Sequence, residues 1–284
     1  MNITALQQKS IEYRRNILDA IWKARAGHTG GSLSCVDILN VLYNQVMDIR
    51  PENFDQVDRD HYIHSKGHSV EALYVVLADK GFFSKEALNT MEKYCSNLIG
   101  HPTRAVPGIE QNTGALGHGL AIAAGVALAG KKDQKTYRVF TIMGDGELTE
   151  GSIWEAGIIS AHYHLDNLVV IIDRNNLQIT GRTESVMATE PLDDKFRSFG
   201  FAVRHVDGND IQSLISLFDQ LPFELGKPNL VIAHTIKGKG ISFIEDNVAW
   251  HHHVPTEAEL ATAMLELQQA EELLQRNDGS LEIR

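Results

Sequence analysis

Apolar and polar positions along this chain follow two rhythms. Residues 4–26 place Leu6, Ile11, Ile17, Leu18 and Ile21 at helical spacing, and Gly27 suits the stop. Residues 34–46 repeat the pattern with Val36, Leu39, Val41 and Leu42. Beyond them short apolar runs alternate with helical ones. "HYIHS" precedes the helical "SVEALYVVLADKG", and "YRVFTIM" precedes "TEGSIWEAGIISAHYH". "LVVIID" comes next, then "FAVRHV", the helical "DIQSLISLFDQL" and "LVIAHTI". The strand-like runs are nearly all apolar and β-branched, which fits strands covered on both faces. The expected fold is α/β, a mainly parallel β-sheet flanked by helices, as one domain over 1–284. A last helix opens at Thr256 with a capping box closed by Glu259, runs to about Gln275 and gives way to polar "RNDGS".

Composition narrows the partners. Formal net charge is -11 with 43% hydrophobic residues, and no long Lys/Arg run exists, so neither nucleic acid nor an anionic membrane is expected. The N-terminus lacks an apolar signal-like stretch, and no run approaches the ~18 apolar residues of a membrane span. A soluble cytoplasmic protein is expected. Cys35 and Cys95 are far apart without a CxxC pair; both are expected to be buried free thiols.

The chemistry begins at "MGDGELTE", residues 143–150. Asp145 lies just past one apolar strand, and Asn175 lies just past the next, in "IIDRNN". Parallel strands joined by a crossover helix end at the same sheet edge, so the two side chains are expected in one crevice. Gly144 and Gly146 let the backbone turn sharply and approach a ligand. A carboxylate and an amide oxygen are hard ligands for Mg²⁺ or Ca²⁺ holding a diphosphate. The simpler reading is a strand-to-helix turn capped by Asp145; the placing of Asn175 favours the clamp.

"GDG" followed about thirty residues later by Asn resembles the thiamine diphosphate motif. By that resemblance Asp145, Asn175 and the carbonyl of Leu177 hold Mg²⁺ (or Ca²⁺) against the cofactor's diphosphate. Further stretches resemble transketolase in the same order: "AGHTGGSLS", "SKGHSVEALY", "IGHP", "NTGALGHG", "EGSIWEA" and "AWHHHVP". The match covers the first, diphosphate-binding domain. The chain is similar to the N-terminal subunit of a split transketolase. The resemblance implies that His28, His101 and His252 line the substrate channel. Neutral-range histidines suit proton exchange with sugar hydroxyls and carbonyls. It further implies that His68 meets the diphosphate and that Gly114 and Leu116 contact the cofactor rings. Glu150 would be a buried acid across the dimer interface, with Glu155 in support, and Lys237 would lie near cofactor and substrate. The run "WHHHVP" is ambiguous in register: His252 stands three residues before Pro255 as in the family, and His251 is the reserve. A zinc site there lacks spaced partners. Two positions depart from the family: Thr29 stands where many members have Pro, and His253-Val254 replaces a common Gly-Ala.

The implied activity is two-carbon ketol transfer from a ketose (phosphate) to an aldose (phosphate). The glutamate that activates the aminopyrimidine, and the groups that grip the sugar phosphate, belong to the family's other domains. A separate C-terminal subunit is therefore expected, in an α2β2 assembly, with no activity from this chain alone. The alternatives are the α subunit of a 2-oxo-acid dehydrogenase, a 1-deoxyxylulose-phosphate-synthase-like chain and a non-catalytic binding module. The first would not carry "GHTGG" and "SKGH" together with the late "HHVP".

Overall fold

The computed structural model describes residues 1–277. In chain order the elements are α1 (Ile3–Ala24), α2 (Thr29–Val41), β1 (His61–His64), α3 (Val70–Asp79), α4 (Gly119–Lys132), β2 (Val139–Gly144), α5 (Gly151–His162) and β3 (Leu168–Arg174). They continue as the hairpin β4 (Leu177–Gln178) and β5 (Gly181–Arg182), α6 (Thr183–Val186), α7 (Leu192–Phe199), β6 (Ala202–Asp207), α8 (Ile211–Phe218), β7 (Asn229–His234) and α9 (Glu257–Asn277).

Five strands form one sheet in the order β1-β2-β3-β7-β6, every pairing parallel. Every residue of β2 and β3 is buried. The pleat sends successive side chains to opposite faces. Val169 and Ile171 of β3 join a core with α1, α2, α3 and α8. Leu168, Val170 and Ile172 join the other, under α4, α5 and α7. That is why these strands read as unbroken apolar runs.

The elements depart from the expected bounds in ways the backbone explains. The first helix stops at Ala24, not at Gly27, because Arg25 adopts the left-handed conformation and its N–H closes on Ile21. The second helix starts at Thr29, five residues before the expected start, since its leading glycines pack tightly: a Cβ on Gly30 would lie 2.8 Å from the Trp250 carbonyl. Helices α4 and α7 and the β4–β5 hairpin were not expected. Alanine and glycine fill much of α4 and blur its periodicity. Cys35 is buried as expected, but Cys95 is exposed in a turn with φ 64°, outside any helix. The Thr256–Glu259 capping box is present in both directions. The polar tail beyond Asn277 lies outside the described residues. Among the described residues no helix is long and apolar enough to cross a membrane.

Candidate functional site

The parallel register fixes the site. Gly144 at the end of β2 stands opposite Asp173 on β3, so Asp145 and Asn175 leave the sheet side by side. Asp145 is 2% exposed; its carboxylate accepts from the N–H of Gly146 at 2.8 Å and of Asn176 at 2.6 Å, and from Arg174 at 3.2 Å. It therefore caps the turn that follows β2 and also ties that turn to β3. Asn176 takes the left-handed conformation (φ 65°), which Asn tolerates, and the Asn175 side-chain oxygen accepts the Leu177 N–H at 3.1 Å. This turn brings Asn175 and the Leu177 carbonyl onto the same side as Asp145. Burial, then the nearby Asp173 charge, raises the Asp145 pKa, with Arg174 opposing.

Together these groups line a cavity of about 220 Å³ at the carboxyl ends of β1, β2, β3 and β7. His28, His68, His101, Gly114, Leu116, Gly144, Asp145, Gly146, Asn175, Leu177 and Lys237 all line it, as does His251. A Cβ on Gly114 would meet the His101 ring at 2.6 Å, which fixes a glycine there. The histidines converge: the ring centroid of His28 lies 4.5 Å from that of His252, 5.2 Å from His68, 5.6 Å from His251 and 6.4 Å from His101. Burial, followed by the positive fields of His252, His101 and the two lysines, pushes His28 down to about 4. Burial and Lys66 hold His68 well below its ordinary value. Both rings are neutral at pH 7. Lys237 donates to the Leu177 carbonyl at 3.2 Å and stands 2.8 Å from Nδ1 of His251. Burial and then Lys66 lower its pKa to about 8.

Some expected residues fall elsewhere. His252 is exposed and does not line the cavity, although it packs against His28; His251 occupies the wall. Successive residues of a short turn cannot both point inward. Glu150 is exposed in the single chain, at the N-terminus of α5 and outside the cavity, and Glu155 is exposed on the same helix. The glutamate that is buried and lines the cavity is Glu147. It accepts from the N–H groups of Gly117 (2.9 Å) and Gly144 (3.1 Å) and from the Ser65 hydroxyl.

At the cavity wall, which Lys66 lines, lies an ion pair that the sequence pattern did not bring forward. Lys66 and Asp173 are buried and bonded to each other. Asp173 also accepts from Ser34 at 2.6 Å, from Thr235, and from the Asn175 amide at 3.2 Å. Burial opposes the charge on Lys66, but the Asp173 carboxylate raises its pKa above the ordinary value; Lys66 in turn holds Asp173 low against burial. One hub thus joins α2, β1, β3 and β7 and aims Asn175. A signal exists in the sequence: Asp173 is the single charge in the run "LVVIID", and a buried charge needs a partner.

The donor set fits a hard divalent cation on a diphosphate, because Asp145, Asn175 and Leu177 all line the cavity and each carries a hard oxygen donor. Among the described residues no group of three or more His, Cys, Asp or Glu is arranged to hold a metal. The oxygens here come from one carboxylate, one amide and one peptide.

Comparison with known proteins gives the family and the fold. The family described as "Transketolase, thiamine diphosphate binding domain" matches residues 6–269. An apulose-4-phosphate transketolase subunit of Phocaeicola vulgatus is 45% identical over 280 residues, 98% of this chain and 100% of that protein. The 6-deoxy-6-sulfo-D-fructose transketolase subunit SqwG of Clostridium sp. is 40% identical over 264 residues, 93% of this chain and 96% of that protein. Among solved structures, the transketolase of Campylobacter jejuni superimposes with a TM-score of 0.84 at 29% identity, covering 97% of this chain and 48% of that one. The chain spans about half the length of that solved transketolase. It belongs to the transketolase family, and it carries the family's thiamine diphosphate-binding domain.

Proposed function

We propose that residues 1–284 form the diphosphate-binding subunit of a two-subunit transketolase. It transfers a two-carbon ketol unit from a ketose to an aldose in the cytoplasm, together with a separate C-terminal subunit in an α2β2 assembly. The observation that carries this reading is the convergence of Asp145, Asn175 and the Leu177 carbonyl with four histidine rings at one sheet edge. The similar proteins named as subunits, at nearly full length, support the need for a partner.

In this reading Asp145, Asn175 and Leu177 hold Mg²⁺ on the diphosphate, and His68 and Lys237 face the same phosphates. Thiamine diphosphate, when bound, supplies the electron sink for cleavage of the carbon–carbon bond. The chain supplies position and protons. His28 is neutral at pH 7, so its ring can donate through one nitrogen and accept through the other. Placed beside His101 and His252, it can hold a sugar hydroxyl and pass its proton without building charge in the cavity. Glu150 and Glu155, exposed on α5, would be covered by the assembled enzyme. The groups that activate the aminopyrimidine and grip the sugar's anionic end come from the partner.

The donor is a ketose carrying an anionic group, since the relatives' names specify a phosphate in one case and a sulfonate in the other. A donor and acceptor screen of the reconstituted two-subunit enzyme tests this. Turnover of anionic ketoses is expected. Turnover of 2-oxo acids with lipoyl or dye acceptors, and none of ketoses, would replace the reading.

A further inference from the structure

We propose that Glu71 is a positioning residue for His28, holding the backbone that presents the imidazole to the sugar end of the cavity. The inference rests on the reading above in which His28 meets the substrate. The geometry comes first. Glu71 lies on α3 and is 1% exposed. Its Oε1 accepts the backbone N–H of His28 at 3.0 Å, and its Oε2 accepts the Ser32 hydroxyl at 2.7 Å. Both carboxylate oxygens are thus spent on the start of α2.

That helix needs an outside cap. His28 is its N-cap residue and its side chain makes no capping bond. The ring is turned instead toward the other histidines. A helix start leaves backbone N–H groups without internal partners, and an oxygen from elsewhere must meet them. Glu71 meets one of them, the N–H of His28 itself, from a neighbouring helix, while the His28 ring faces the cavity.

The approach is close enough to dictate its neighbour. Gly27 has φ 147°, and a Cβ there would lie 2.7 Å from Oε1 of Glu71 and 2.7 Å from Ile21. The segment between α1 and α2 is therefore pressed onto the carboxylate. The far side of the same turn is held too: the Thr29 hydroxyl donates to the His253 carbonyl at 2.6 Å. His28 stands between these two anchors.

The cost of this acid argues against mere packing. Both its donors are neutral, and burial pushes its carboxyl up to about 7. A buried carboxyl without a cation is expensive. Glu71 also sits one helical turn after His68, so a single helix start carries one cavity histidine and orients another.

The experiment is a double-mutant cycle on the enzyme reconstituted with its partner, using hydroxypyruvate as ketol donor and ribose 5-phosphate as acceptor. Glu71→Met removes both acceptors at similar length, and Glu71→Asp keeps the charge but shortens its reach. Either should lower kcat/KM for hydroxypyruvate about 10- to 100-fold while thiamine diphosphate affinity stays within about threefold of wild type. Glu71→Gln, whose amide oxygen can still accept from His28, should restore activity to within about threefold. In a His28→Ala background, Glu71→Met or Glu71→Asp should add less than about a twofold loss, because residues that act through one another are not additive. If Glu71→Met does not fold, Glu71→Asp decides. Equal losses with and without His28, or cofactor affinity falling in step with activity, would overturn the proposal alone. Wild-type activity in His28→Ala would remove the reading of His28 and overturn the proposal with it.

Discussion

The Asp145 carboxylate and the backbone N–H of Asn176 are bonded at 2.6 Å, so the turn after β2 and the turn after β3 are one unit. The same carboxylate is buried, and its charge is balanced in part by Arg174. A cation placed on it would therefore be held by a group that cannot swing away. Asp145→Ala should weaken Mg²⁺-dependent thiamine diphosphate binding at least tenfold, about 1.4 kcal/mol or more. The far-ultraviolet circular dichroism should be retained. Calorimetry with the partner present reads the affinity; a value within about threefold of wild type contradicts the metal role.

The histidines divide by what they touch. His101→Ala and His252→Ala should lower turnover by about 10²–10⁴-fold with little change in cofactor affinity, as for groups that handle protons. His251 contacts Lys237 at 2.8 Å and lines the cavity, whereas His252 packs on His28. His251→Ala should therefore weaken the cofactor more than His252→Ala does. Paired steady-state kinetics and calorimetry separate the two, and the reverse ranking contradicts the assignment.

Lys66 and Asp173 form a buried pair with three further donors on the carboxylate. Breaking such a pair by removing one partner costs about 3–5 kcal/mol. Asp173→Ala should lose that much in urea unfolding. Lys66→Met combined with Asp173→Ala should lose clearly less than the sum of the single losses. Additive losses would mean that the two side chains do not act together.

Glu71 gives the chain a pH signature. Burial raises its carboxyl to about 7 from 4.5. Between those values the folded chain holds a proton that the unfolded chain has released, so this group's contribution to stability falls as pH rises. Glu71→Gln removes that slope. The variant should gain on wild type by roughly 3 kcal/mol between pH 4.5 and 7. Neighbouring His28, lowered to about 4, has the opposite slope, losing stability as pH falls from 6.5 toward 4. It is present in both proteins and cancels in the difference. Urea unfolding at pH 5 and pH 7.5 measures it; a difference independent of pH contradicts the burial of the charge.

Much of this was legible because it depends on local pattern. The β-branched runs "YRVFTIM" and "LVVIID" specify buried parallel strands, and their pairing places Asp145 beside Asn175 without further information. The glycine-flanked histidines were legible from motif order. What escaped depends on contacts distant in sequence. Nothing near Glu71 marks it as the cap of a helix that starts with Thr29, 42 residues earlier. Lys66 meets Asp173 across 107 positions. Glu150 was expected as a buried acid across the dimer interface, and in the single chain it is exposed; Glu147, three residues earlier and not singled out, is the one buried against Gly117, Gly144 and Ser65. Cys95 was expected to be buried and lies exposed in a turn, since the polar residues around it supply no apolar face to bury.

The central claim is that this chain provides half of a catalytic site. The direct measurement is ketol transfer from hydroxypyruvate to ribose 5-phosphate, with saturating thiamine diphosphate and Mg²⁺. It is made on the purified chain alone and during titration with the purified C-terminal partner. No transfer by the lone chain is expected, and activity should rise to a plateau at one partner per chain. Robust transfer by the chain alone, with contaminating transketolase excluded, would contradict the claim.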